Sequence, residues 1–175
     1  MHLSSSPSVV VRFALLLLSV AVASAAEGAP GPRQGPLQPV KWSLSLEPAS
    51  GQVVSGGRLT AVVTAKIEDG WHVYAPDEAN VGPRPVELTV VKNPVFSAAG
   101  KLDAPEPQRE MDDAFGQITA TYTERAIFRL PVAVAADAAA GPHAIEIDVS
   151  FQACDGHICL PARAARVTAA VTVKK

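Results

Sequence analysis

Cysteine is scarce in this 175-residue chain, which has two. That is too few for a zinc ribbon or a disulfide-dense mini-protein. Aromatic residues make up 5% and charged residues 18%, and the formal net charge is −2. No basic block breaks this near balance. The clustered positive field that nucleic acid requires is missing, and so is a polybasic tail for a membrane surface. No G-x-S-x-G element offers a hydrolase nucleophile, and no glycine-rich loop follows a strand to cradle phosphate. The carboxylates from Glu106 to Asp113 are too close in sequence to argue for glycosidase geometry. No window carries the apolar period of an amphipathic helix, and no internal repeat is visible. With 48% apolar residues the chain is nevertheless too hydrophobic to be disordered.

One long apolar run is present, over residues 13–23 (FALLLLSVAVA). It falls short of the ~20 residues a spanning helix needs. Ala23-Ser24-Ala25 follows as a small-x-small cleavage pattern. Residues 1–25 therefore read as a signal peptide, cut after Ala25 or Ala26, and the mature protein is expected to be exported, without stable membrane insertion, to a compartment where a disulfide persists. Residues 26–40 read as a Pro/Gly-rich linker, since EGAPGPRQGPLQP holds four prolines and three glycines. One ordered domain is expected over residues 41–175.

Within that domain the period is two. Trp42, Leu44 and Leu46 alternate with polar neighbours, and so do Leu59, Ala61, Val63, Ala65 and Ile67. The same holds for Val86, Leu88 and Val90, for Ala126 through Val134, for Ile145, Ile147, Val149 and Phe151, and for Val167 through Val173. Each run has one apolar and one wet face, as antiparallel strands do. Ser55-Gly56-Gly57, Asp69-Gly70, Val81-Gly82-Pro83, Ala99-Gly100, Gly141-Pro142 and Asp155-Gly156 supply turn chemistry between them. Six to nine short strands predict an all-β fold, an immunoglobulin-like antiparallel β-sandwich, with a closed barrel as the alternative. Residues 98–116 form the least regular stretch and read as a long loop, a place where function concentrates.

The cysteines lie in FQACDGHICLP, with four residues between Cys154 and Cys159. Ile145 to Phe151 put their odd-numbered residues on the core face, so parity places Cys154 with Asp148, Ser150 and Gln152 on the wet face. Asp155-Gly156 turns the chain, so the two cysteines face each other across a hairpin mouth within disulfide reach. A bridge this local stabilises little and suits exchange. Three readings stay open at this point: a structural hairpin disulfide in a secreted binding or accessory module, redox exchange, and copper or zinc binding with help from His157 and His72. His143, at a strand start, reads as merely exposed.

FQACDGHICLP resembles the Q-A-C-x4-C-L-P element of the N-terminal periplasmic domain of the thiol:disulfide interchange protein DsbD. Asp69-Gly70-Trp71-His72-Val73-Tyr74 resembles that family's D-G-aromatic-x-x-Tyr element, and Asp113-Ala114-Phe115-Gly116 with Tyr122 resembles its cap-loop region. Order and spacing agree, and the resemblance runs from about Lys41 to Val173. It implies an immunoglobulin-like domain that passes electrons through one cysteine pair and needs no cofactor or metal. By the same resemblance Cys159 forms the mixed disulfide with partners, Cys154 resolves it, Phe115 caps the pair, and His72 and Tyr74 line the site. The implied partners are thioredoxin-fold proteins and a membrane electron donor, as in cytochrome c maturation. The expected protein is a periplasmic monomer, a carrier of oxidoreductase type rather than a turnover enzyme.

The sequence also departs from the family. His72 stands where other members often carry an aromatic residue, and the spacing of four is one shorter than in the best-known member. The chain shows neither the multi-span membrane domain nor the thioredoxin domain that follow in full DsbD. A free-standing version with its donor on another protein is the expectation.

Overall fold

Alternation of apolar and polar side chains builds the frame. In the computed structural model, which describes residues 37–76, 82–113 and 115–175, the long alternating runs are strands. They are β1 (Val40–Glu47), β3 (Arg58–Ile67), β9 (Arg125–Val134), β10 (Gly141–Phe151) and β12 (Arg163–Lys174). Shorter strands complete the fold: β2 (Gln52–Val54), β4 (His72–Tyr74), β5 (Glu87–Val90), β6 (Phe96–Ala98), β7 (Gln108–Asp112), β8 (Gln117–Tyr122) and β11 (Ala153–Cys154). The signal peptide and most of the linker expected from the sequence lie outside the described residues.

The strands form three four-stranded sheets, ordered β1-β3-β9-β6, β2-β12-β10-β5 and β11-β4-β8-β7. Pairing is antiparallel throughout, except for the short parallel match of β2 with β12. The first two sheets make the sandwich. Leu59, Val63, Phe128 and Leu130 from one sheet share a core cluster with Ile145, Ile147, Val149 and Val171 from the other. Phe128 has 0% exposure, and burial of such a side chain contributes about 1.5–3 kcal/mol. Trp42 closes this core from β1, its ring 6.1 Å from Phe128 and 5.2 Å from Phe151.

The third sheet carries the chemistry-bearing residues, and its strands are two-sided. Val73, Ala120, Tyr122 and Ala153 face the common core. Tyr122 anchors this side, with its ring 5.4 Å from Phe128 and its hydroxyl donating to the Pro105 carbonyl at 2.8 Å. The chain reaches this sheet from the second one within a single residue. β10 ends at Phe151, and β11 begins at Ala153.

Three expectations are corrected. The described residues hold twelve strands rather than six to nine. The stretch 98–116 is not a plain loop, because Gln108–Asp112 pairs with β8 as an antiparallel hairpin. Gly141-Pro142 is not a turn but the first two residues of β10, paired with Val173 and Thr172.

Candidate functional site

The cysteine hairpin is shaped by Asp155. Its Oδ1 accepts the backbone N–H groups of His157 and Ile158, both at 2.7 Å, and its own N–H donates to the Ile158 carbonyl at 2.9 Å. Leu160 N–H closes the mouth on the Ala153 carbonyl at 2.9 Å. The turn therefore brings Cys154 and Cys159 opposite each other as an antiparallel bridge. Their Cα atoms lie 4.1 Å apart, and the sulfurs are bonded. The two backbone donors hold the Asp155 carboxyl below the usual carboxylate range, Ile158 more than His157, with the nearby histidines acting in the same direction.

Parity places Cys154 on the side away from the common core, and the structure agrees on the side: Ala153 belongs to the core cluster and Cys154 does not. The expected exposure is wrong. Cys154 has 0% exposure, although its cross-strand neighbour His72 on the same face is only half-buried. Tyr74 shares the condition, fully buried yet outside the core cluster. Cys159 is half-buried. Only one of the two cysteines is thus open to an approaching molecule.

Register arranges the neighbours. His72 is the direct partner of Cys154 across β4 and β11, and opposed residues send their side chains to the same face of a sheet. Tyr74, two residues on, shares that face. The His72 and Tyr74 rings meet edge-on at 5.2 Å, and Tyr74 meets Phe115 edge-on at 6.0 Å. Phe115 is half-buried at the tip of the β7–β8 hairpin. The tip turns on Gly116, whose φ of 63° suits glycine. Gly82 faces Phe115 from another segment, where an added Cβ would stand 3.2 Å from the ring.

Asp112 joins the group from β7, a residue that the sequence presents only as one acid in a solvated stretch. Tyr74 Oη donates to Asp112 Oδ2 at 2.8 Å, and His72 Nε2 lies 3.1 Å from Tyr74 Oη. Thr119, also buried, donates to the same carboxylate oxygen at 3.4 Å. The other oxygen accepts the Phe115 N–H at 3.3 Å, so Asp112 fastens the tip as well as the relay. Burial pushes the His72 imidazole below its ordinary value, against the opposing pull of Asp112 and then Asp155. A shallow groove of about 170 Å3 runs along this face, lined by His72, Glu110, Asp112, Thr121, Asp155 and Gly156.

The other two histidines among the described residues lie apart from this relay. His157 is exposed on the hairpin. His143 sits against Phe96 at 6.3 Å with Nε2 2.8 Å from the Ala139 carbonyl. Chemically, the arrangement offers one accessible sulfur, one sealed sulfur, and a half-buried imidazole tied to a carboxylate.

A family described as thiol:disulfide interchange protein DsbD, N-terminal, matches residues 44–170. Among solved structures, the chain is similar to the DsbD N-terminal domain of Neisseria meningitidis in the reduced form. Identity is 17%, over 64% of this chain and 77% of that one, with a TM-score of 0.45. It is also similar to the N-terminal periplasmic domain of ScsB from Proteus mirabilis, at 13% identity over 74% of this chain and 44% of that one, with a TM-score of 0.48. This chain thus spans less than half the length of the ScsB domain. No curated protein matches the sequence.

Proposed function

The chain belongs to the family of DsbD N-terminal domains, and on that premise we propose that it is a periplasmic thiol–disulfide exchange carrier working through Cys154 and Cys159. The observation that carries this reading is the asymmetry of the pair. Cys159 is half-buried at the hairpin and Cys154 is fully buried. A partner therefore meets Cys159 first. In the reduced protein the Cys159 thiolate attacks a partner disulfide, a new sulfur–sulfur bond forms, and one partner thiolate leaves. Cys154 then attacks the Cys159 sulfur, which closes the internal disulfide and releases the second partner thiolate. Two electrons pass to the partner, which gains two protons, and the carrier loses two thiol protons. An electron donor reverses the sequence.

The partners are thioredoxin-fold proteins, with a membrane protein as donor, acting on a monomeric carrier. Phe115 shields the pair through its contact with Tyr74, and the hairpin tip swings aside when a partner docks. The test is trapping. Cys154→Ser should accumulate a mixed disulfide through Cys159 when mixed with an oxidised thioredoxin-fold protein, whereas Cys159→Ser should not. Absence of any trapped adduct, together with a reduction potential too low for exchange with dithiols, would make the bridge structural and overturn the reading.

A further inference from the structure

Sealing Cys154 creates a chemical requirement. Its thiol must lose a proton before it can attack Cys159, yet with 0% exposure it has no direct path to bulk water, and burial raises a thiol's pKa. An acceptor must be supplied by the protein. The residue directly opposite Cys154 is His72.

Its protonation state follows from the hydrogen bonds. An ionised carboxylate only accepts, so the Tyr74 hydroxyl spends its proton on Asp112. The Tyr74 oxygen then accepts from His72, and Nε2 carries the hydrogen. Nδ1 is left with its lone pair. Asp112 and Tyr74 thus hold the ring as a neutral base in one tautomer, as a hydrogen-bonded carboxylate does for an imidazole at other reactive sites. The charged and titratable groups around it are Tyr74 on its own strand, Asp112 from β7 and Asp155 from the hairpin, with Glu110 and Asp113 further along the groove.

We propose that His72 is the proton acceptor for Cys154 in the resolving step, with Tyr74 and Asp112 as positioning residues. This deepens the exchange reading and rests on it. The Cys154 S–H bond breaks, its proton passes to Nδ1, and the thiolate attacks the Cys159 sulfur of the mixed disulfide. The Cys154–Cys159 bond forms and the bond to the partner breaks. The departing partner thiolate takes up a proton from solvent, and the imidazolium returns its own to solvent. Asp112 offsets the transient charge from 4.0 Å away. On re-reduction the same ring protonates the leaving Cys154 thiolate.

The test uses the reduced protein and an aromatic disulfide that releases a coloured thiolate at each of two steps, attack by Cys159 and ring closure by Cys154. In the unaltered protein the second phase should rise with pH through a midpoint below the ~8.5 of an ordinary thiol. His72→Phe should slow the second phase about a hundredfold relative to the first, the lower end of the range for a general base, and move its midpoint upward. Tyr74→Phe keeps the rings but cuts the link to Asp112, and should give a smaller loss in the same phase. It serves as the test should His72→Phe fail to fold. An unchanged ratio of phases and an unchanged midpoint in a folded variant would overturn the proposal while leaving the exchange reading intact. Release of fewer than two coloured thiolates per molecule of the unaltered reduced protein would overturn both.

Discussion

Phe115 meets Tyr74 edge-on, with ring centroids 6.0 Å apart and planes at 89°. Through Tyr74 the hairpin tip is coupled to His72, and His72 lies opposite Cys154. Aromatic pairs of this geometry contribute about 0.5–1.5 kcal/mol beyond simple burial. A contact of this size is compatible with the tip movement proposed for docking.

Phe115→Ala should therefore cost the fold about 1 kcal/mol while reactivity of the reduced pair toward a small alkylating reagent rises. Alkylation rates read beside thermal midpoints check this. Unchanged reactivity, or collapse of the fold, would show that Phe115 is ordinary packing.

Reduction of the bridge should be mild in its effect. The loop it closes is short, so in the chain-entropy account its loss removes about 2 kcal/mol. The Asp155 hydrogen bonds remain to hold the turn. Circular dichroism with and without reductant should show the same β-sheet spectrum and a midpoint lower by several degrees. Global unfolding on reduction would contradict it.

Asp155→Ala should make the disulfide easier to reduce. Without the carboxylate the His157 and Ile158 donors lose their acceptor, the open loop gains freedom, and closing it costs more. Asp155→Asn keeps an acceptor oxygen and should retain most of the effect. Equilibrium against a dithiol buffer measures both. Equal potentials for all three proteins would show that the turn plays no part in setting redox balance.

Acid should weaken the fold through His72. Burial holds its folded value below the ordinary 6.5. As pH falls beneath 6.5 the unfolded chain gains a proton that the native ring refuses, so native stability declines until pH passes the folded value. Asp155 acts in a separate, lower window. Its folded value lies below the ordinary 3.8, so its contribution is present above that value and is lost as pH falls further. Urea midpoints between about pH 7 and pH 5 should fall in the unaltered protein and flatten in His72→Phe. Parallel curves would exclude the imidazole as the cause.

The sandwich was legible because its long strands repeat the alternation many times over, as from Leu59 to Ile67 and from Ile145 to Phe151. β2, β4, β6 and β11 were not, since two or three residues cannot display a period. β7 is exposed along almost its whole length, so no apolar face marks it as a strand. Alternation also reports sides, not depth. It placed Cys154 away from the core but could not show that the residue is nonetheless fully buried there. Asp112 was invisible for a related reason: nothing in the sequence separates it from Asp113, and only the register opposite Gln117 brings it to the Tyr74 hydroxyl.

The two-sided character of the third sheet also constrains how this sequence can change in length. Along β4, His72 and Tyr74 face the site while Val73 faces the core, and Ala153 and Cys154 divide the same way on β11. One inserted or deleted residue in either strand would exchange the two sets, burying an imidazole among hydrocarbons and turning the thiol away from its partners. Point substitutions on the site face leave the core untouched, but length variation there damages both at once. Insertions and deletions should therefore be tolerated only in the turns, as at Gly70 and Gly116, which have open space around them.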